Sequence, residues 1–135
     1  MAQNETLFFT GKIKQKGTTI SDSDGTSPIE IFDASIEGAN IYGIWVTSNS
    51  TVDIPTSLWL NLEGTNRKLT SGIIPVDSIG INYFINLISI GIRQDHNGNN
   101  FLRISPSSKL FLTADTALNS GETLEVIVDR ETFEE

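Results

Sequence analysis

The stretch SLWLNLE, residues 57–63, places Leu58, Leu60 and Leu62 at alternate positions, with Trp59, Asn61 and Glu63 between them. Side chains on an extended backbone point to opposite faces with a period of two, so this segment is a strand with one apolar and one mixed face. Working outward, TLEVIVD (residues 123–129) repeats the pattern, with Leu124, Val126 and Val128 opposed to Glu125, Ile127 and Asp129. KLFLTA (109–114) and FLRIS (101–105) are shorter versions. IYGIWVTS (41–48) and YFINLISIGI (83–92) carry apolar side chains at successive positions, as strands do when both faces are covered. Nearer the start, LFFTGKIKQ, TTI and PIEIF read as strands bounded by Gly17, Gly25 and Pro28.

Eighteen of the 135 residues are Ile, whose branching at Cβ suits a pleated surface better than a helix. Ala, Leu, Glu and Lys never combine into a long helical stripe. The best helix candidate is a turn or two near TADTALNSG (113–121), with Asp115 as cap and Gly121 as terminator. Turn signals every 8–12 residues between eight to ten strands predict an all-β fold: a single β-sandwich of jelly-roll type. Residues 1–39 are expected to form an N-terminal arm or extra hairpin that packs on its own chain or on a neighbour. Residues 40–135 are expected to form the sandwich core, ending in an acidic tail.

Composition narrows the function. An apolar content of 38% supports a packed core, and the absence of cysteine removes disulfides, thiolate metal sites and a Cys nucleophile. The net charge is −8, and residues 115–135 hold seven carboxylates against Arg130 alone. Such a surface repels phosphate backbones, so nucleic acid is not an expected partner. No charged segment followed by an apolar run marks a secretory signal at the start. No stretch reaches the roughly 18 apolar residues of a membrane span, so no membrane partner is expected.

Two segments imitate metal loops. RQDHNGNNFLRIS (93–105) contains the one histidine, His96, and oxygen side chains at Asp95, Asn97 and Asn99. An EF-hand counted from Asp95 needs glycine where Asn100 stands and a carboxylate where Pro106 stands. Asn97-Gly98 between strand patterns instead signals a tight hairpin, because both residues accept positive φ. SDSDGTSP (21–28) has its glycine displaced in the same way and reads as a structural turn. One histidine permits a single Ser-His-Asp arrangement, and no G-x-S-x-G elbow is present. A small carboxylate-based hydrolase would require an Asp or Glu with a raised pKa. The expectation is a protein that is not an enzyme, with no catalytic residues, no metal and no cofactor.

Candidate interface residues remain. If residues 41–48 and 56–64 form one hairpin, Trp45 faces Trp59 across the ladder; a jelly-roll crossover instead places them in different sheets. Exposed, with Tyr42 and Tyr83, they suit a protein or sugar partner. Lys12, Lys14 and Lys16 alternate and project from one side of a strand, where lysines guard an edge against aggregation. The same stripe could dock on the acidic 129–135 tail of a neighbouring subunit, with apolar support from Phe8, Phe9 or Phe133.

ANIYGIWVTSNSTVDIPTSLWL (39–60) resembles the I-x-G-I-x-V-x-N opening strand of small β-sandwich proteins of tailed-phage virions, with Ser48 where the pattern has Asn. KLFLTADTALNSGETLEVIV (109–128) is similar to their closing L-x-x-G-D-x-L-x-V pattern, with Glu122 at the usual Asp, and KLTSGIIPVDSIG (68–80) matches the connector between. The resemblance runs from Asn40 to Val128. It implies a virion structural subunit made in the host cytoplasm: a capsid decoration or cement protein, with a tail or baseplate component as the alternative. It implies major capsid or tail proteins as partners and a homo-oligomer, for which a trimer is the candidate. A carbohydrate-binding jelly roll is the alternative from a different class.

Overall fold

The alternation in residues 123–129 becomes one long strand, and its neighbours follow the same rule. The computed structural model describes residues 14–34, 38–75, 83–84, 93–94 and 100–132. Ten strands run through them: β1 (Lys14–Ser21), β2 (Ile29–Asp33), β3 (Ala39–Ser48), β4 (Ile54–Leu62), β5 (Thr65–Ile74), β6 (Tyr83–Phe84), β7 (Arg93–Gln94), β8 (Asn100–Ile104), β9 (Lys109–Ala114) and β10 (Thr123–Thr132). All of their pairings are antiparallel.

The first sheet has the order β1-β10-β3-β8-β7, with β6 also paired to β3, and the second has the order β2-β9-β4-β5. Strands adjacent in sequence therefore alternate between sheets at β1–β4 and again at β8–β10. This interleaving of a six-stranded and a four-stranded sheet is the jelly-roll topology. Residues 14–33 supply an edge strand to each sheet, β1 against β10 and β2 against β9, so this part of the N-terminal third packs on its own chain. Residues 1–13 lie outside the described residues.

The core is the space between the sheets. Ile44, Val46, Leu124, Val126 and Val128 face it from the first sheet, and Ile54, Leu58, Leu110 and Leu112 from the second, all essentially inaccessible to water. Burying each such side chain stabilises the fold by about 1.5–3 kcal/mol. Strict alternation cannot bury both Ile41 and Ile44. The β3–β10 register shifts where Gly43 pairs Asp129 but Ile41 pairs Arg130, leaving Tyr42 as the extra residue. This bulge turns both isoleucines inward. An irregularity between Glu30 and Phe32 in β2 does the same for Ile31 and Phe32. Residues 41–48, which read as a strand apolar on both faces, are here a strand with a bulge; residues 85–92 of the other such stretch lie outside the described residues.

Three local expectations are corrected or refined. No helix forms over residues 113–121, because Asp115 is drawn back onto the sheet: its N–H donates to the Pro55 carbonyl at 2.7 Å. Gly121 does adopt a positive φ of 83°, in the turn that leads into β10. The hairpin around His96 is present as β7 against β8, paired Arg93 to Phe101 and Gln94 to Asn100. A plain two-residue turn at Asn97-Gly98 would instead pair Gln94 with Phe101; residues 95–99, with His96, lie outside the described residues. A two-residue turn of that kind occurs between β4 and β5, where Glu63 and Gly64 have φ of 54° and 85° and Leu62 pairs Thr65.

Truncating the core should be far more costly than truncating the surface. Leu112→Ala is expected to lower unfolding free energy by about 2–5 kcal/mol in urea melts. Ile73→Ala, at a site 56% exposed, should stay within about 0.5 kcal/mol of the parent.

Candidate interaction surfaces

The crossover decides the fate of the tryptophan pair. Trp45 lies on β3 in the first sheet and Trp59 on β4 in the second, so the two do not face each other across a ladder. Each is half-buried on the outer side of its own sheet. Trp45 Nε1 donates to Asp129 Oδ2 at 2.8 Å, and Gln15 Nε2 donates to Asp129 Oδ1 at 2.9 Å. One carboxylate thereby ties together β1, β10 and β3. Beside it, the Tyr42 hydroxyl donates to Glu131 Oε1 at 3.1 Å and its ring lies 5.9 Å from that of Phe101. The bulge places Tyr42 on this outer side, away from Ile44 and Val46. The side chain of Tyr83 lies outside the described residues.

Trp59 sits in a different setting. It pairs with Phe111 on β9 and with Lys68 on β5, whose Nζ lies 5.9 Å from the indole centroid. Its Nε1 donates to Thr113 Oγ1 at 3.1 Å, and that hydroxyl donates to Asp115 Oδ1 at 2.8 Å. Ser57 Oγ donates to the other oxygen of the same carboxylate at 2.7 Å. Phe111, Thr113, Asp115 and Lys68 were not singled out as site residues from the sequence. The alternation in residues 109–114 puts Phe111 and Thr113 on the face opposite Leu110 and Leu112, but only the β4–β9 pairing shows which aromatic they join.

The lysine stripe lies where an edge guard belongs. β1 ends the first sheet, and Lys14 and Lys16 pair with Arg130 and the fully buried Val128, so both project from the core-facing side at its rim. Inward-leaning charge on an edge strand opposes the docking of a foreign strand. Arg130 closes the same end, its guanidinium 5.5 Å from the Phe32 ring. Asp129 and Glu131 of the acidic tail are bonded within their own sheet. Phe8, Phe9, Lys12 and Phe133 lie outside the described residues.

Carboxylates elsewhere hold turns. In residues 21–28 a short 3₁₀ turn (Asp22–Asp24) forms, and Asp24 Oδ2 accepts the Ser21 N–H at 2.8 Å while Asp22 Oδ2 accepts the Gly121 N–H at 3.1 Å. Among the described residues no three His, Asp or Glu side chains converge as a metal site requires. Glu122 is buried and accepts the backbone N–H of Asn119 at 2.9 Å and of Thr51 at 3.1 Å. Those two N–H groups hold its carboxyl below the usual glutamate range, outweighing the opposing effect of burial. A general acid needs a shift in the other direction.

No family model matches the sequence, and no curated protein matches it. Solved structures that overlap it include infectious bursal disease virus of the Gx strain, at 14% identity over 92% of this chain and a TM-score of 0.27. The Gt strain overlaps at 13% identity over 93% of this chain and a TM-score of 0.21. The chain spans 41% of the length of each of those chains. Overlaps this loose carry no functional inference. No described helix is long and apolar enough to cross a membrane.

Two outcomes follow from this geometry. Replacing both Lys14 and Lys16 by Ile should raise light scattering at fixed protein concentration, whereas Arg at both positions should leave it unchanged. Glu122→Gln should lower stability at neutral pH. Because the folded-state pKa is depressed, that contribution is complete above the ordinary value of 4.5 and lost as pH falls through the lower folded value. Parent and variant melts recorded from pH 7 downward should therefore converge below that point.

Proposed function

We propose that this chain is a structural subunit of a tailed-phage virion, most simply a decoration or cement protein that works through contacts with major capsid proteins and with copies of itself. One observation carries the reading: the described interior of the jelly roll is filled by aliphatic side chains, so activity falls to outer faces, edges and loops. Jelly rolls recur as capsid domains, lectins and cupins. A cupin needs a cluster of metal ligands inside the fold, and a chain with one histidine and this interior does not supply it.

The segments that resemble small phage virion proteins support the same reading. They coincide with β3, β4, β9 and β10, which form the adjacent pairs β10–β3 and β9–β4 within the two sheets. The resemblance thus falls on the strands that build the sandwich. A role in the tail or baseplate uses the same surfaces and differs only in location. A protein of this kind binds and does not turn over a substrate, and its oligomers, a trimer among them, form through outer faces and loops, because Lys14 and Lys16 guard the β1 edge.

The test is to find where the chain resides. Mass spectrometry and antibody labelling of purified particles should detect it in many copies on capsids, and light scattering should show self-association. A strict monomer with no affinity for capsids or tails overturns the proposal; labelling confined to tails moves the role to the alternative.

A further inference from the structure

We propose that the outer face of the second sheet binds a neutral carbohydrate, with the indole of Trp59 as the stacking surface. Four side chains form one transverse row across that sheet: Glu30, Phe111, Trp59 and Lys68, each directly opposite the next. Two aromatic residues thus occupy the centre of the row and charges its ends. Both rings are half-buried on a face turned away from the other sheet, where packing the core does not require them.

The indole is also held in place before any ligand arrives. Its N–H is bonded to Thr113, whose hydroxyl is fixed by Asp115, and Asp115 also holds Ser57. Thr113 and Ser57 are only 6% and 2% exposed, so these two anchors lie beneath the surface, while the Asp115 carboxylate that holds them is exposed. With its polar handle occupied, the ring has only its apolar surface left to offer; the Lys68 ammonium lies over part of it, 5.9 Å from the centroid, and a ring already ordered loses little entropy on binding.

Beside the ring runs a groove of about 480 Å³ lined in part by Pro55, Lys68, Ser71, Ile73 and Asp115. Lys68 and Asp115 belong to both groove and platform. An apolar ring face next to a carboxylate acceptor, an ammonium donor and a hydroxyl matches a pyranose, whose C–H face stacks on aromatics while its equatorial hydroxyls exchange hydrogen bonds. A net charge of −8 disfavours acidic glycans and nucleic acids. An added peptide strand is disfavoured because the β5 edge is bulged at Leu69 and carries Arg67 and Lys68. A neutral sugar is the occupant that remains.

Trp45→Phe leaves Trp59 as the single tryptophan of the full chain, so its fluorescence reports on this face alone. The probes are cellohexaose, chitohexaose, maltohexaose and a neutral galactose-based oligosaccharide, each titrated to about 10 mM. A saturable change with at least one probe is expected, together with roughly tenfold or greater loss of affinity in Trp59→Ala measured by calorimetry. Ser71→Arg, on the exposed groove wall, should block the same binding and serves if Trp59→Ala fails to fold. The proposal is overturned by silence from every probe, by affinity unchanged in these variants, or by Trp59→Ala lowering oligomeric order, which would make the face a subunit contact. Particle location is read separately, so failure here leaves the virion proposal standing.

Discussion

The layer of branched and unbranched aliphatic side chains between the two sheets is the constraint on which everything else in this molecule rests. Val126 and Val128 on β10 sit with Ile44 and Val46 on β3, facing Leu58 on β4 and Leu110 and Leu112 on β9. Because this layer admits few polar groups, Thr56 and Ser48 among them, most polar and aromatic residues of the same strands lie on the outside. Where the local spacing would have sent an isoleucine outward, the backbone adds a residue instead, at Tyr42 in β3 and near Ile31 in β2. Burial was kept at the expense of regular pairing, as expected when each exposed isoleucine forfeits a kcal/mol or more.

The outer faces are organised by carboxylates. Asp129 accepts from side chains on both neighbouring strands, Asp115 from Ser57 and Thr113, and Glu122 from two backbone amides. In a chain of net charge −8 these acids are fixed acceptors. Charged acceptors form stronger hydrogen bonds than neutral ones, so they pin turns and outer-face rings that the core does not reach. The two sheets nevertheless present different characters. The first carries Trp45 and Tyr42 tied to acids, while the second carries Trp59 beside Phe111 with a cation at its flank.

Those differences bear on how a protein whose described interior is filled by side chains can act. A filled sandwich offers rigid faces whose side chains are ordered by cross-strand bonds, and binding to such a face loses little conformational entropy. The edges are managed separately: lysines lean in at β1, and a bulge with two cations marks β5. Contacts made through faces and loops therefore stay distinct from uncontrolled strand addition.

The alternation in residues 57–63 and 123–129 determined by itself that these segments are strands and which side chains turn inward, because side-chain direction is a local property of an extended backbone. The inward assignments of Leu58, Leu110, Leu112, Leu124, Val126 and Val128 were legible in that way. Tertiary structure alone decided which strands are neighbours, since pairing depends on contacts between residues far apart in the chain. Trp59 was visible as an outward aromatic, yet the Thr113 that anchors it lies 54 residues away. The sequence left open whether Trp45 and Trp59 share a hairpin or lie in different sheets, and it did not show the bulge that moved Tyr42 outward. Both arise from packing one sheet against the other, which no single strand pattern records.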